Sequence, residues 1–404
     1  MYVTRSLSHY KQIPSSLSLP PPEGPNSGYL VIQDEESVGT TCFGLCKDTY
    51  IREMPFPQDK ILTVSYSTTS GHNTTTGAPN HVTYTDDVYF IPALNQPLSS
   101  NRYYVIKAHG RHKGEAYASS NEEEPCCCFN TVKEMKPREL DHEDVYQQIE
   151  ITALEMSCCG PSGYVARSVA QDGVPPRFLA RKGWEVYTST PRHYQLCEAQ
   201  GINYSLRARL PHFDFPLSTK SSEIMVVGKW YSPFMFIKEE GKLKDQMKRS
   251  MFYEITLEQQ WKQIYEGENN LNGDNFVAVD VSVQREIAFL LGNEADLHNH
   301  TQVTDGVIWF STVNRGGGGG ESKVGLSSAV MERMRWEQER VGWVGGKEKQ
   351  VKVERVEEFE GGTDEWKKYG CYVLVERFVF KRMDGSLLLT YEFRHTHEIR
   401  SKWE

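Results

Sequence analysis

No stretch of the 404-residue chain approaches the roughly 18–20 consecutive apolar residues that a membrane-crossing helix needs. The longest apolar string, 226–237, is broken by Lys229, Ser232 and Pro233. The opening 25 residues lack the apolar centre of a secretory signal. Position 2 is Tyr rather than the Gly required for myristoylation, and 401–404 carries no prenylation box. A cytoplasmic protein is therefore expected, with the nucleus as the other compartment. Positive charge is in short supply as well: 45 Lys and Arg stand against 54 Asp and Glu, for a net charge of −9. That sign is unfavourable for neutralising phosphates, so nucleic acid is not an expected partner.

A disulfide framework is also missing. The nine cysteines are an odd number, and Cys126, Cys127 and Cys128, like Cys158 and Cys159, are adjacent. Without a secretion signal they are expected to be reduced thiols. Catalytic motifs are equally scarce. There is no Gly-x-Ser-x-Gly elbow, and the glycine run 316–320 is followed by Glu-Ser-Lys rather than the Lys-Ser/Thr of a phosphate loop. Gly345-Gly346-Lys347 lacks the hydroxyl residue that should come next. Cys197 has no identifiable histidine partner. His212 with Asp214, and His298 with Asp296, are neighbours in sequence only, which does not establish proton-transfer geometry.

What the chain does have is rings. Aromatics make up 11% of it, with 21 Tyr and 8 Trp, and such residues favour the pleated, half-buried surface of a strand. Runs at 28–34, 61–67, 88–92 and 102–107 are β-branched or aromatic and bounded by turn residues, so each predicts a strand. The Thr-, Gly- and Asn-rich stretch 68–80 predicts a loop. Residues 131–151 predict a helix divided by Pro137, with Asp141 as N-cap. Segment 250–266 carries two signals: Thr256-x-x-Gln259 fits a capping box, while Met251, Tyr253, Ile255 and Leu257 alternate at period two. A strand giving way to a short helix is expected there. Met383-Asp384-Gly385-Ser386 between β-rich runs predicts a tight hairpin.

Spacing in the second half suggests an internal duplication over 224–291 and 305–397. Trp230-Tyr231-Ser232, Leu243, Met251, Tyr253-Glu254 and Trp261 run in the same order as Trp309-Phe310-Ser311, Leu326, Met334, Trp336-Glu337 and Trp343. The expected organisation is an extended segment 1–27, an N-terminal β-rich domain 28–165 and a C-terminal α+β domain 166–404. The expected fold class is α+β, mainly antiparallel.

Candidate sites follow from residue type. Trp230, Tyr231, Trp309 and Phe310 would suit stacking on a sugar, a base or an apolar ligand, although rings inside apolar runs are more often core. Cys42 and Cys46 would supply two metal ligands that Cys126–Cys128 or Cys158-Cys159 could complete, although adjacent cysteines on a strand point to opposite faces and chelate poorly. His298 and His300 would supply two with no third nominated. His395 and His397 share one strand face in the same way. No cofactor is expected.

Several segments resemble a plant-restricted family of uncharacterised proteins, the domain-of-unknown-function family numbered 1262. They are MYVTR at the start, SLPPPEGPNSGYLVIQDEE, CFGLC at 42–46, PFPQ at 55–58, FIPALNQPLSSNRYYVI at 90–106 and VGKWYSPFMFIKE at 227–239. The resemblance implies a plant, intracellular protein and brings no activity, cofactor or catalytic residue with it. The leading expectation is a non-enzymatic interaction or scaffold protein with a protein partner, in stress or defence responses. The alternatives are a small-ligand or glycan-binding protein using its aromatic side chains, and a cryptic hydrolase or metal-dependent enzyme.

Overall fold

The computed structural model describes residues 1–41, 46–72, 79–126, 129–154, 163–191, 194–269, 275–297, 306–313, 321–346, 348–361 and 366–404. They form a mostly β structure built from antiparallel sheets, with short helices. The chain divides into two units, one of Met1–Ala199 with Gly241–Met251, the other of Gln200–Glu240 with Phe252–Glu404.

The first unit begins with β1 (Tyr2–Ser6), which pairs in parallel with β2 (Gly28–Ile32). Segment 1–27, expected to be extended, therefore holds a strand, followed by the helix Leu7–Gln12. Ser6 caps that helix by accepting from the His9 backbone N–H. The main sheet comprises β3 (Tyr50–Ile51), β4 (Ile61–His72), β5 (Pro79–Pro92), β6 (Arg102–Lys107), β7 (Gln148–Ala153), β8 (Tyr164–Ser168) and β9 (Glu185–Ser189). Their spatial order is β8-β7-β6-β5-β4-β9-β3. Since β9 pairs with β4, the chain of this sheet runs past the boundary expected at 165, and the division falls at 199/200.

One face of this sheet is the core. Leu62 and Val64 on β4, Val88 and Phe90 on β5, Val105 on β6, Ile149 and Ile151 on β7, and Trp184 are all at most 2% exposed. Gln58, in the PFPQ segment, is buried and fully used. Its Nε2 donates to the Phe56 and Phe90 carbonyls, and its Oε1 accepts from the Val31 N–H at 2.6 Å, which ties β2 to β5.

The helix expected at 131–151 does not form. Phe129–Val132 is a strand, a 3-10 turn spans Val145–Gln147, and β7 follows directly. Pro137 removes a helix donor, and the period-two burial of Ile149 and Ile151 at 0% exposure outweighs local propensity. The cap belongs to Asp144, which accepts from the Tyr146 N–H, rather than to Asp141.

In the second unit, β10 (Met225–Pro233), β11 (Phe252–Glu268), β17 (Lys368–Arg382), β18 (Leu387–Trp403) and β13 (Glu286–Leu290) lie side by side in that order, all antiparallel. The 382–387 hairpin forms as expected, with Gly385 at φ +83°, a backbone conformation that L side chains adopt with difficulty. A two-stranded ribbon joins β12 (Phe276–Gln284) to β16 (Gln350–Glu358), and β14 (Val307–Val313) pairs with β15 (Glu321–Ser327). Strand β11 continues unbroken through the 256–259 capping-box signal. Thr256 there is paired on one side with Lys229 and on the other with Val379, and ladder bonds to two neighbours outweigh a local cap.

Two helices belong to the second unit, α1 (Tyr204–Arg209) and α2 (Ser328–Glu339). In α2, Ser327 caps the N-terminus and Arg333 pairs with Glu337 one turn on. Of the positions matched by the repeat spacing, Trp230–Ser232 and Trp309–Ser311 both lie in strands, but later ones do not share element types. Leu243 is in a helix and Leu326 in β15; Met251 precedes β11 and Met334 is in α2; Tyr253 is in a strand and Trp336 in a helix. Equal spacing of apolar residues serves a strand in one case and a helix in the other.

Candidate functional site

The core face of the first sheet does not end in solvent-facing polar residues. It ends in rings. Period two places Val64 and Tyr66 on the same face of β4. Register sets Asp86 opposite Val64, and Tyr84 opposite Tyr66. Along β5 that face grades from Phe90 and Val88, both fully buried, to Asp86 and then to Tyr84, which is 57% exposed. Here the sheet borders an open-sided cavity of about 570 Å³, lined elsewhere by Tyr117, by 134–137, and by Arg177, Phe178 and Arg181.

The polar groups of the cavity are ordered by one another. The Tyr117 hydroxyl accepts from Lys107 Nζ at 2.8 Å and donates to Asp86 Oδ1 at 3.3 Å. Burial, reinforced by Asp86, pushes the Tyr117 phenol well above its ordinary pKa, so it remains a protonated donor. Lys107 also lies 3.6 Å from Asp86. Tyr117 packs against Phe178 with ring centroids 4.8 Å apart, and the Arg181 guanidinium sits 4.7 Å from the Tyr66 ring centroid. Glu134 accepts from the Arg177 backbone N–H. The arrangement offers aromatic faces beside fixed donors and acceptors, which suits recognition of a polar ring.

A second cavity, of about 410 Å³, lies in the other unit over a buried ion network. Arg207, from α1, donates from Nε and Nη2 to the two carboxylate oxygens of Glu376 on β17, at 2.9 and 2.5 Å. It also reaches Glu337 of α2 at 3.3 Å, and Glu337 in turn accepts from Arg333 at 2.7 Å. Gln259 on β11 adds a 2.8 Å bond to Glu376. All these groups are at most 4% exposed. Burial alone would raise Glu376, but the Arg207 hydrogen bonds and charge outweigh it and hold the carboxyl below its ordinary value. Two guanidiniums thus meet two carboxylates inside the fold. The chemistry is that of a pin joining α1, α2 and the sheet.

His395 of β18 completes the network, with Nε2 2.8 Å from Gln338 Oε1 and 4.0 Å from Glu376. Burial pushes its pKa down to about 4, against the upward pull of Glu376. A histidine buried in its neutral form binds fewer protons than the unfolded chain between its folded value and the ordinary 6.5. Stability is therefore full above that window and is lost as pH falls from about 6.5 towards 4, by roughly 3 kcal/mol in total. Urea midpoints taken down this range should fall more steeply for the wild type than for His395→Gln. Parallel slopes would contradict the assignment.

The side chains singled out from sequence lie elsewhere. Trp230, Tyr231 and Phe310 are at most 2% exposed: Trp230 packs on Phe378, Tyr231 directs its hydroxyl to Glu254, and Phe310 meets Tyr391 edge-on. Trp309 is half-buried over Gly325. Strands β10 and β14 belong to different sheets, so the four rings do not converge on one face. Cys42, His298 and His300, and the side chain of Cys46, lie outside the described residues. Among the described residues no group of three or more His, Cys, Asp or Glu is arranged to hold a metal, and no helix is long and apolar enough to cross a membrane. Of the cavity residues, Tyr66 falls within a run recognised as a strand; pairing with Tyr84 depends on register across 68–80, which no local motif encodes.

These features define a mostly β, antiparallel protein with a ring-lined cavity in its first unit. Residues 23–129 match a family described as protein of unknown function (DUF1262), and Tyr66, Tyr84, Asp86, Lys107 and Tyr117 fall inside that stretch. No curated protein matches the chain. Among solved structures it is similar to Cry35Ab1, with a TM-score of 0.45 and 11% identity over 86% of this chain and 90% of that one.

Proposed function

We propose that the chain is a non-enzymatic binding protein whose first unit holds a sugar-like ligand in the Tyr66–Tyr84 cavity. The observation that carries this reading is Tyr84, an exposed ring paired across the sheet with half-buried Tyr66, on the rim of a roughly 570 Å³ space with fixed polar groups. A sugar ring presents C–H groups to aromatic faces and hydroxyls to groups such as Asp86 and Lys107. The carboxylates are occupied: Asp86 takes Lys107 and Tyr117, and Glu134 takes a backbone donor, so neither is poised as a free acid or base. Binding without catalysis was the common ground of the two leading expectations from sequence, and the cavity favours the small-ligand one.

Tyr84→Ala should leave the unfolding free energy from urea titration within about 0.5 kcal/mol of wild type, because its ring is mostly in solvent. The same change should weaken saccharide binding at least tenfold, about 1.4 kcal/mol. The check is titration of a panel of neutral and acidic oligosaccharides followed by intrinsic fluorescence and calorimetry. If no member binds in a Tyr84-dependent way, the reading fails.

A further inference from the structure

We propose that the ligand of this cavity is an anionic saccharide of the uronate type; the inference rests on the saccharide reading above and adds its charge. The chain as a whole carries −9, yet four cations, Lys107, Lys136, Arg177 and Arg181, line the cavity against only two carboxylates, Asp86 and Glu134. Lys107 is spent on Asp86 and on the Tyr117 hydroxyl. Lys136, Arg177 and Arg181 form no ion pair among the described residues. The cavity is therefore a local region of positive potential on an acidic protein, which concentrates anions and repels cations.

The position of those charges narrows the ligand further. Arg181 is held against the face of Tyr66 at 4.7 Å from its centroid, so one guanidinium is anchored beside the aromatic wall rather than sweeping through solvent. Arg177 opens the short helix Arg177–Ala180, next to Phe178, and Lys136 enters from the 134–137 segment. A pyranose carrying a ring carboxylate has both halves of the complement: a C–H face for the tyrosines and a planar anion for the guanidinium fork. A neutral sugar leaves three cations without partners, and a lone inorganic anion leaves the rings uncovered. Space of about 570 Å³ lies within the ordinary range of small-molecule sites, roughly 300–1,000 Å³, and exceeds the needs of a simple ion.

The test titrates the full chain with trigalacturonate and with neutral maltotriose at low and at high salt. Trigalacturonate should bind at least about tenfold more tightly at low salt, and the advantage should shrink as screening rises. The exposed double variant Arg177→Gln/Lys136→Gln should erase most of the advantage of trigalacturonate over maltotriose. Equal, Tyr84-dependent binding of the two sugars would overturn the charge assignment and leave the saccharide reading standing. Trigalacturonate binding that is indifferent to Tyr84→Ala would mark a diffuse polyanion effect and overturn the proposal. Failure of both sugars to bind would overturn both readings.

Discussion

Replacing Arg207 by Met should cost about 3–5 kcal/mol of stability at neutral pH. Arg207 gives Glu376 a two-bond contact at 2.9 and 2.5 Å and touches Glu337 at 3.3 Å. Methionine fills similar space but leaves Glu376, 1% exposed, with its charge uncompensated apart from the Gln259 hydrogen bond. With the Arg207 hydrogen bonds and charge gone, only Gln259 and the more distant His395 oppose burial, which should carry the Glu376 pKa above the unfolded value. A carboxyl raised in the folded state stabilises below its unfolded pKa and loses that contribution as pH rises through the folded one. The deficit of Arg207→Met should therefore be smaller at pH 5 than at pH 8. Adding Glu376→Leu should recover part of the loss, since an apolar pair can substitute for a buried ionic one whereas half a pair cannot. Urea unfolding at both pH values measures all three species. A loss below about 1 kcal/mol for Arg207→Met would show that the network is not the pin described.

Trp184→Ala should cost about 3–5 kcal/mol in the first unit. The indole is fully buried and stacks near Phe90 and Tyr164, with centroids at 6.2 and 5.2 Å. Its Nε1 donates to the Leu179 carbonyl at 3.2 Å, holding the short helix that presents Arg177 and Phe178 to the cavity. The neighbouring backbones also run close together: a Cβ on Gly163, at φ +65°, would come within 2.6 Å of the Trp184 backbone carbonyl oxygen. Truncation thus removes transfer free energy, opens a void that this close packing cannot easily fill, and unpairs a carbonyl. Saccharide binding should weaken along with stability, whereas Trp184→Phe should retain most of both. An unchanged urea midpoint in Trp184→Ala would contradict the packing description.

Much of the strand content was legible because alternation is a local property. The runs at 28–34, 61–67, 88–92 and 102–107 all fall within observed strands or overlap them, and the Asp384-Gly385 turn forms where its φ requirement places it. Local signals failed where tertiary partners competed with them. The capping box at Thr256 lost to hydrogen bonding with strands on both sides, and the 131–151 helix lost to the burial of Ile149 and Ile151. The four aromatic candidates were conspicuous as residue types, but three of them are enclosed by packing.

Residue pattern by itself determined the antiparallel β character of this protein and the places of its tightest turn, because both depend on neighbours one or two positions apart. Only the tertiary structure decided which rings face a cavity and which charges are buried together. Tyr66 meets Tyr84 through the pairing of β4 with β5, and Arg207 meets Glu376 from 169 residues away. Contacts of that kind are set by strand register and by the docking of helices on a sheet, and their energies appear only once the intervening chain has closed.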